Sequence, residues 1–422
     1  MMDKICVIGL GYIGLPTATM FALNGKQVVG VDVNQKVVDK LNRGQVHIEE
    51  PGLGEAFKKM VDEKKIKAST TPEVADVFII AVPTPNKDDE YKSCDLSYVE
   101  SATRSILPFI KKGDVVILES TISPTTTDET VKPIIEKKGF KIGEDIFLAH
   151  CPERVLPGKI MEELVENNRI VGGVTEKCTD EAAKIYKTFV KGEILKTTSK
   201  TAEMSKLMEN TFRDVNIALA NELTKICNKL DISSLDVVNL ANKHPRVNIH
   251  TPGPGVGGHC LAVDPYFIIE KAPELANIIS LARETNNSMP KYVVSKVEEL
   301  LPKNDSKVSV FGITYKGNTD DLRESPAIEI VDILKNKGIN VVLHDPHVKD
   351  TELTLLDREE AVEDSDMILI LSDHNEFKDI NYKELVKSMN TPLIFDTKNI
   401  LKEENFEGTN MIFKNLGNIP DK

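Results

Sequence analysis

The chain has 422 residues, with 53 Lys or Arg against 66 Asp or Glu, for a formal net charge of −13. That length exceeds one ordinary hydrophobic core and implies two or three domains, while a composition 41% hydrophobic and 28% charged excludes the disordered regime. The acidic balance argues against general nucleic-acid binding, since phosphate backbones select basic surfaces, so any phosphate bound must be met by local cations.

The first predicted elements lie in "KICVIGLGYIGLP", a buried strand, a glycine turn and a helix that runs on through "ATMFALNGK"; "VVGVD" is a second strand. The uncharged run from Ile5 to Leu23 has the length of a leader or a membrane span, but Gly9, Gly11, Gly14 and Pro16 punctuate it as the opening βαβ of a dinucleotide fold. No other run approaches spanning length, so a soluble, unprocessed chain is expected. Strand-like runs follow at 77–83, 115–120, 146–150 and 169–173, with helical periodicity between most of them, the pattern of a doubly wound parallel sheet.

From about Thr201 to Leu230 the pattern changes to one long helix, with Met204, Leu207, Met208, Phe212, Val215, Leu219, Leu223 and Ile226 at three- and four-residue steps. Strand patterns return only at Lys307, in "KVSVFGI", "INVVLHDP", "DMILILSD", "PLIFDT" and "NMIFKNLG". The predicted fold class is α/β, two Rossmann-like doubly wound domains (1–197 and 303–422) joined by a helical middle domain (198–302) that contains the long helix.

"GLGYIG" matches G-x-G-x-x-G between a strand and a helix, and Asp32 closes the next strand, where a carboxylate can accept from a ribose. The helix N-terminus can then meet a pyrophosphate. Asp32 would repel a 2′-phosphate, and Val33 and Asn34 follow it with no arginine, which favours NAD over NADP. "VPTP" (82–85) and "ESTISP" (119–124) follow apolar strands at the sheet edge where ligands gather. On the long helix, Lys206, Asn210 and Asp214 recur at four-residue steps beside the apolar stripe, either as a solvated face or as a rigid row from which Lys206 and Asn210 could donate to an oxyanion. Lys316 and Arg323, after a strand of the second set, are surface charges or a grip on phosphate.

Six cysteines without a C-x-x-C pair fit neither a disulfide framework nor a zinc site and point to a reducing cytoplasm. His259 with Cys260 and Asp264, and His344 with His347, lack a second ligand pair, so no metal is expected. "TPGPGVGGHCLAVDPYF" (251–267) crowds glycine and proline ahead of Cys260. The thiol is either a small buried hydrophobe after a tight turn or a nucleophile in an N–H-rich loop, with Asp264 to manage a proton or a water.

The segments "GLGYIGLP", "VPTP", "EST", "CPERVLPG", "KLMENTFRDVNIALANE", "GPGVGGHCLAVDP" and "GITYKGNTDDLRESPA" occur in the order found in the UDP-sugar 6-dehydrogenases, and the chain resembles that family over essentially its whole length. "GGHCLAVDPYF" and "CPERVLPG" look like its UDP-N-acetyl-D-mannosamine branch; UDP-glucose enzymes usually have serine before the cysteine, and UDP-N-acetylglucosamine enzymes share "GGHC", commonly with proline at the place of Ala262. The resemblance implies an NAD-dependent four-electron oxidation of C6 through a thiohemiacetal and a thioester. It makes Cys260 the nucleophile, Lys206 and Asn210 stabilisers of oxyanions, Asp264 and Thr121 handlers of water, and Glu153 a base in thioester hydrolysis. It also implies cofactor contacts at Gly9, Gly11, Tyr12, Ile13, Gly14, Asp32, Thr84, Thr121 and Arg323. Substrate contacts are implied at Glu153, Arg154, Val155, Lys206, Asn210, Arg246, His250, Gly257, Tyr315 and Lys316, Arg246 often acting across a subunit boundary. The expected partners are a UDP-N-acetylhexosamine and further copies of the chain, with neither nucleic acid nor membrane. UDP-N-acetylglucosamine or UDP-glucose oxidation is the alternative within the family. A two-electron β-hydroxyacid dehydrogenase is a different class, and it would need no thiol.

Overall fold

A computed structural model describes residues 2–302, 305–349, 351–406 and 408–419. The first sheet contains β1 (Lys4–Ile8), β2 (Gln27–Val31), β3 (Ile66–Ser69), β4 (Val77–Ile80), β5 (Val115–Leu118), β6 (Phe147–His150), β7 (Arg169–Gly173) and β8 (Ile194–Thr198), in the order β3-β2-β1-β4-β5-β6-β7-β8. Strands β4, β5 and β6 are buried at every position, which is why they read as unbroken apolar runs. The order reverses at β1, paired in parallel with β2 on one side and β4 on the other, and ligands gather beyond the strand ends at such a reversal.

The sheet departs from the parallel expectation at one seam: β6 and β7 pair antiparallel, Ala149 opposite Gly173, while β7 and β8 are parallel to each other. Strands β3 and β8 are absent from the sequence reading. "IKAS" and "ILKTT" are short, each carries a lysine and only two apolar residues, and they give little hydrophobic signal, as short strands at a sheet edge do. The second sheet is wholly parallel: β9 (Lys307–Phe311), β10 (Asn340–His344), β11 (Met367–Ile370), β12 (Leu393–Asp396) and β13 (Ile412–Asn415), in the order β10-β9-β11-β12-β13.

The helices used below are α1 (Gly14–Leu23), α2 (Ser199–Lys229), α3 (Asp264–Ile269), α4 (Asn277–Asn287) and α5 (Pro326–Asn336). Among the described residues between β8 and β9, regular structure is helical throughout. Helix α2 has the expected length, and its apolar stripe is divided: Leu207 is buried and Val215 and Leu223 are half-buried, while the other five positions are exposed. Met204, Met208, Phe212, Leu219 and Ile226 are exposed, Phe212 at 64%, whereas Glu203, Asn210, Asp214, Asn221, Thr224 and Asn228 are buried. The alternative of a solvated face therefore fails for Asn210 and Asp214. Among the described residues no helix is long and apolar enough to cross a membrane.

The chain divides into two compact units, Met1–Glu209 with Tyr266–Pro273, and Asn210–Pro265 with Glu274–Lys422. The first encloses a core of Ile5, Val7, Phe21, Phe78, Ile117 and Tyr186 among others. The second has apolar clusters on its sheet, Val308, Val310 and Leu369 in one and Phe311, Ile370 and Phe377 in another.

Candidate active site

In the first unit, β1 delivers the chain into Gly9, at φ +92°, whose N–H donates to Val31 O at 2.8 Å. A Cβ there would stand 2.4 Å from Ala81 O, and one at Gly14 would stand 1.8 Å from Gly9 O, so the turn closes only on glycine. At Gly11 an added Cβ would meet no described atom within 4 Å, and α1 starts with no side-chain cap on its N–H groups. Asp32 accepts from Leu10 N at 3.3 Å and Asn34 N at 2.9 Å, which fixes its partly exposed carboxylate beside the turn. Tyr12 is exposed and Ile13 half-buried. A closed glycine turn, an open helix N-terminus and a held carboxylate fit the pyrophosphate and ribose of a dinucleotide.

The loops after β4 and β5 are tied together: Thr84 Oγ1 donates to Thr121 O at 2.6 Å, and Ser120 Oγ to Val82 O at 2.7 Å. Further along, Thr125 N, Thr127 N and Thr127 Oγ1 all donate to the Glu203 carboxylate at 2.6 to 2.8 Å. Burial pushes Glu203 up to about 7, against those three donors. This anchors the Thr121 loop to α2, where Lys206 lies half-buried almost one turn beyond Glu203.

Glu153, after β6, is held rather than free. Its carboxylate accepts from Arg169 at 2.6 Å and from Arg154 N at 2.7 Å. Arg169 also meets Glu119 at 2.5 Å, and Glu119 accepts from Tyr186 OH and Thr17 Oγ1. Arg169 and Glu119 are both buried; burial raises the Glu119 carboxyl, and the Arg169 charge pulls it back. The Arg154 guanidinium is engaged by Glu209 and Asn168 O, and Val155 is half-buried. His150 is buried, and neither ring nitrogen has a hydrogen-bond partner among the described residues. Burial, with the Lys206 and Arg169 cations, pushes its pKa down to about 3, so the ring is neutral.

In the second unit, Cys260 is exposed, which removes the reading of a buried hydrophobe; the other five cysteines are buried. Gly257 and Gly258 explain the approach to it. A Cβ on Gly257 would lie 2.3 Å from Glu324 O and 2.7 Å from Tyr315 Cβ, and Gly258, at φ +82°, packs against the Tyr315 ring and donates to Arg323 O at 3.1 Å. The glycines therefore let the cysteine loop press against the 313–325 loop that follows β9. Cys260 O then accepts from Val263 N and Asp264 N, a turn leading into α3. Asn210 Nδ2 donates to Asp264 Oδ2 at 2.6 Å, so two of the expected site residues are joined directly.

Arg323 makes a two-point pair with Asp321, through Nε at 2.7 Å and Nη2 at 2.6 Å. Burial and the Arg323 charge lower His259, while burial and Asp321 raise Tyr315. Lys316 and Arg246 are exposed and His250 is half-buried. The expected residues thus fall into two sets, Gly9 to Lys206 in one unit and Asn210 to Arg323 in the other. His347, His374 and Glu376 bring possible ligand atoms within 4.8 Å of one another. His374 is already committed on both nitrogens, to Asn318 N and towards Asp345, so the group is a stacked histidine pair rather than a ligand set.

The sequence reading gave no role to Arg169, Glu119 or Arg283. Arg169 opens an apolar strand and Glu119 closes another, and a charge inside a buried run demands a partner; that demand was the available signal. Arg283, in an amphipathic helix, carried none.

Family profiles match nearly the whole chain: "UDP-glucose/GDP-mannose dehydrogenase family, NAD binding domain" at residues 3–190, the central domain at 200–288 and the UDP binding domain at 309–403. A UDP-N-acetyl-D-mannosamine dehydrogenase of Methanococcus vannielii is 50% identical over 99% of this chain and 97% of its own. An NDP-N-acetyl-D-galactosaminuronic acid dehydrogenase of Ralstonia nicotianae is 47% identical over 90% of this chain and 93% of its own. The solved structure of the UDP-N-acetyl-mannosamine dehydrogenase from Staphylococcus aureus shares 58% identity, covers 99% of both chains and superposes with a TM-score of 0.91.

Proposed function

Because the chain belongs to the UDP-glucose/GDP-mannose dehydrogenase family, we propose that it oxidises the C6 alcohol of UDP-N-acetyl-D-mannosamine to the carboxylate in two successive two-electron steps, using NAD. The observation that carries this reading is the exposed Cys260, set on a turn whose far end, Asp264, is bound by the α2 residue Asn210. A single two-electron oxidation needs no such thiol.

NAD⁺, when bound against Gly9, Gly11, Gly14 and Asp32, supplies the hydride acceptor, one molecule for each oxidation. Cys260 adds as thiolate to the C6 aldehyde, forming a C–S bond and placing negative charge on the former carbonyl oxygen. The Lys206 ammonium and the second hydrogen of Asn210 Nδ2 donate to that oxygen. Loss of the second electron pair leaves a thioester on Cys260. A water oriented by Thr121 and Asp264 attacks the thioester carbonyl; Glu153 takes its proton, the C–S bond breaks and the Cys260 thiolate is restored as the acid leaves. The ion pair with Arg169 fixes the Glu153 carboxylate in one orientation for that step. In this reading residues 1–197 serve the cofactor, 198–302 the thiol chemistry and 303–422 the nucleotide, with Tyr315, Lys316 and Arg323 on the loop after β9. Arg154, Val155, Arg246, His250 and Gly257 contact the sugar nucleotide, and Tyr12, Ile13 and Thr84 contact the cofactor. The protein acts in the cytoplasm as a homodimer or larger homo-oligomer, and the exposed apolar row of α2 is the surface that a second copy covers.

NADH formed per UDP-N-acetyl-D-mannosamine consumed, at completion with excess NAD⁺, tests the proposal. The expected ratio is two. A ratio of one would mean that an aldehyde or ketone is released and would remove Cys260 from the reaction.

A further inference from the structure

The buried polar side of α2 contains a pair that the mechanism above leaves unused. Asp214, one turn beyond Asn210, is fully buried, and its Oδ1 accepts from Arg283 Nη1 at 2.6 Å and from Asn286 Nδ2 at 2.8 Å. Arg283, on α4 and 3% exposed, also directs Nη1 to Leu261 O at 3.4 Å and Nη2 to Asn287 Oδ1 at 2.6 Å. Leu261 is the residue after Cys260. The turn bearing the thiol therefore has two handles, the Leu261 carbonyl and the Asp264 carboxylate, and they trace back to successive turns of α2 at Asp214 and Asn210. Asn221, two turns further along the same face, donates to Asn286 and accepts from Gly253 N, so the start of the cysteine loop is held by the same helix.

We propose that Asp214 and Arg283 are positioning residues that fix the Cys260 thiol in register with Asn210. Fold stability is a poor reason for the pair, because burying two charges costs about what their attraction returns, and apolar residues of similar volume serve a core as well. What the site uses is the guanidinium fork: one planar group bridges Asp214, the Leu261 carbonyl and Asn287, which a lysine ammonium at the end of a flexible stem does not reproduce. The inference rests on Cys260 being the nucleophile.

Two variants test it, Arg283→Lys and the double substitution Asp214→Asn with Arg283→Met, which removes both buried charges together. Each is compared with the wild type by thermal melting, by the rate of iodoacetamide alkylation of Cys260 in the ligand-free protein, read by peptide mass spectrometry, and by NADH formed per UDP-sugar consumed. The expected result is a cooperative melt in at least one variant with the Cys260 alkylation rate changed fivefold or more. The NADH ratio should fall from two towards one as aldehyde escapes an ill-placed thiol, and the KM for NAD⁺ should stay unchanged. A folded variant that alkylates within twofold of wild type and keeps a ratio of two sinks the proposal, and so does failure of both variants to fold, which would give the pair to the fold rather than to the thiol. A wild-type ratio of one would instead overturn the assigned reaction, and the alkylation comparison would still decide whether the pair places the sulfur.

Discussion

A serine at position 260 can attack an aldehyde but holds its proton far more tightly than a thiol does, so Cys260→Ser should arrest at or before an ester-like adduct. Intact-mass spectrometry after incubation with substrate and NAD⁺ reads that adduct. Lys206→Ala removes one charge from the oxyanion and should lower kcat about 10²- to 10³-fold. Its circular dichroism should be unchanged, because lysine and alanine both suit a helix. Glu203 gives a prediction in pH. Its folded pKa, about 7, lies above the ordinary 4.5 because of burial, so its contribution to stability is complete below pH 4.5 and is lost as pH rises towards 7. The loss is on the order of 3 kcal/mol. Urea unfolding at pH 5 and pH 8 should show the difference, and Glu203→Gln, neutral at both, should shrink it by that amount.

Among the elements, the cysteine loop is where glycine is indispensable. Gly257→Ala places a methyl against the Glu324 carbonyl, which is main chain and cannot swing aside, so a loss of about 3 kcal/mol is expected, measured as a lower Tm together with altered alkylation of Cys260. That loop, the glycine turn after β1 and every strand of the two sheets except the edge strands β3 and β8 were legible in the sequence because each follows a local rule: a positive φ, an apolar run, a carboxylate at a strand end. Helix α2 shows where local rules stop. Its period was legible and its facing was not, since periodicity locates a stripe without saying whether the protein's own core or another surface covers it. The antiparallel seam at β7 and the Arg169 network were hidden for a similar reason, as pairing direction and ion-pair partners are set by residues far apart in sequence.

For the whole molecule, the row Met204, Met208, Phe212, Leu219 and Ile226 is too apolar to be left in water on a chain of this charge, and its occupant is expected to be a second copy. Light scattering should give at least a dimer mass, and Phe212→Asp should shift the population towards monomer. A monomeric wild type would leave the row to some other surface. The burial of Cys6, Cys94, Cys151, Cys178 and Cys227 beside the exposure of Cys260 has a consequence of another kind. A peroxide meeting the folded protein finds one accessible thiol, so oxidation at that thiol should inactivate by a single-hit law, return with reductant at the sulfenic stage, and become permanent once the sulfinic acid forms. With Cys260 in its proposed role as nucleophile, that thiol would be the point at which oxidative stress halts the supply of the sugar acid.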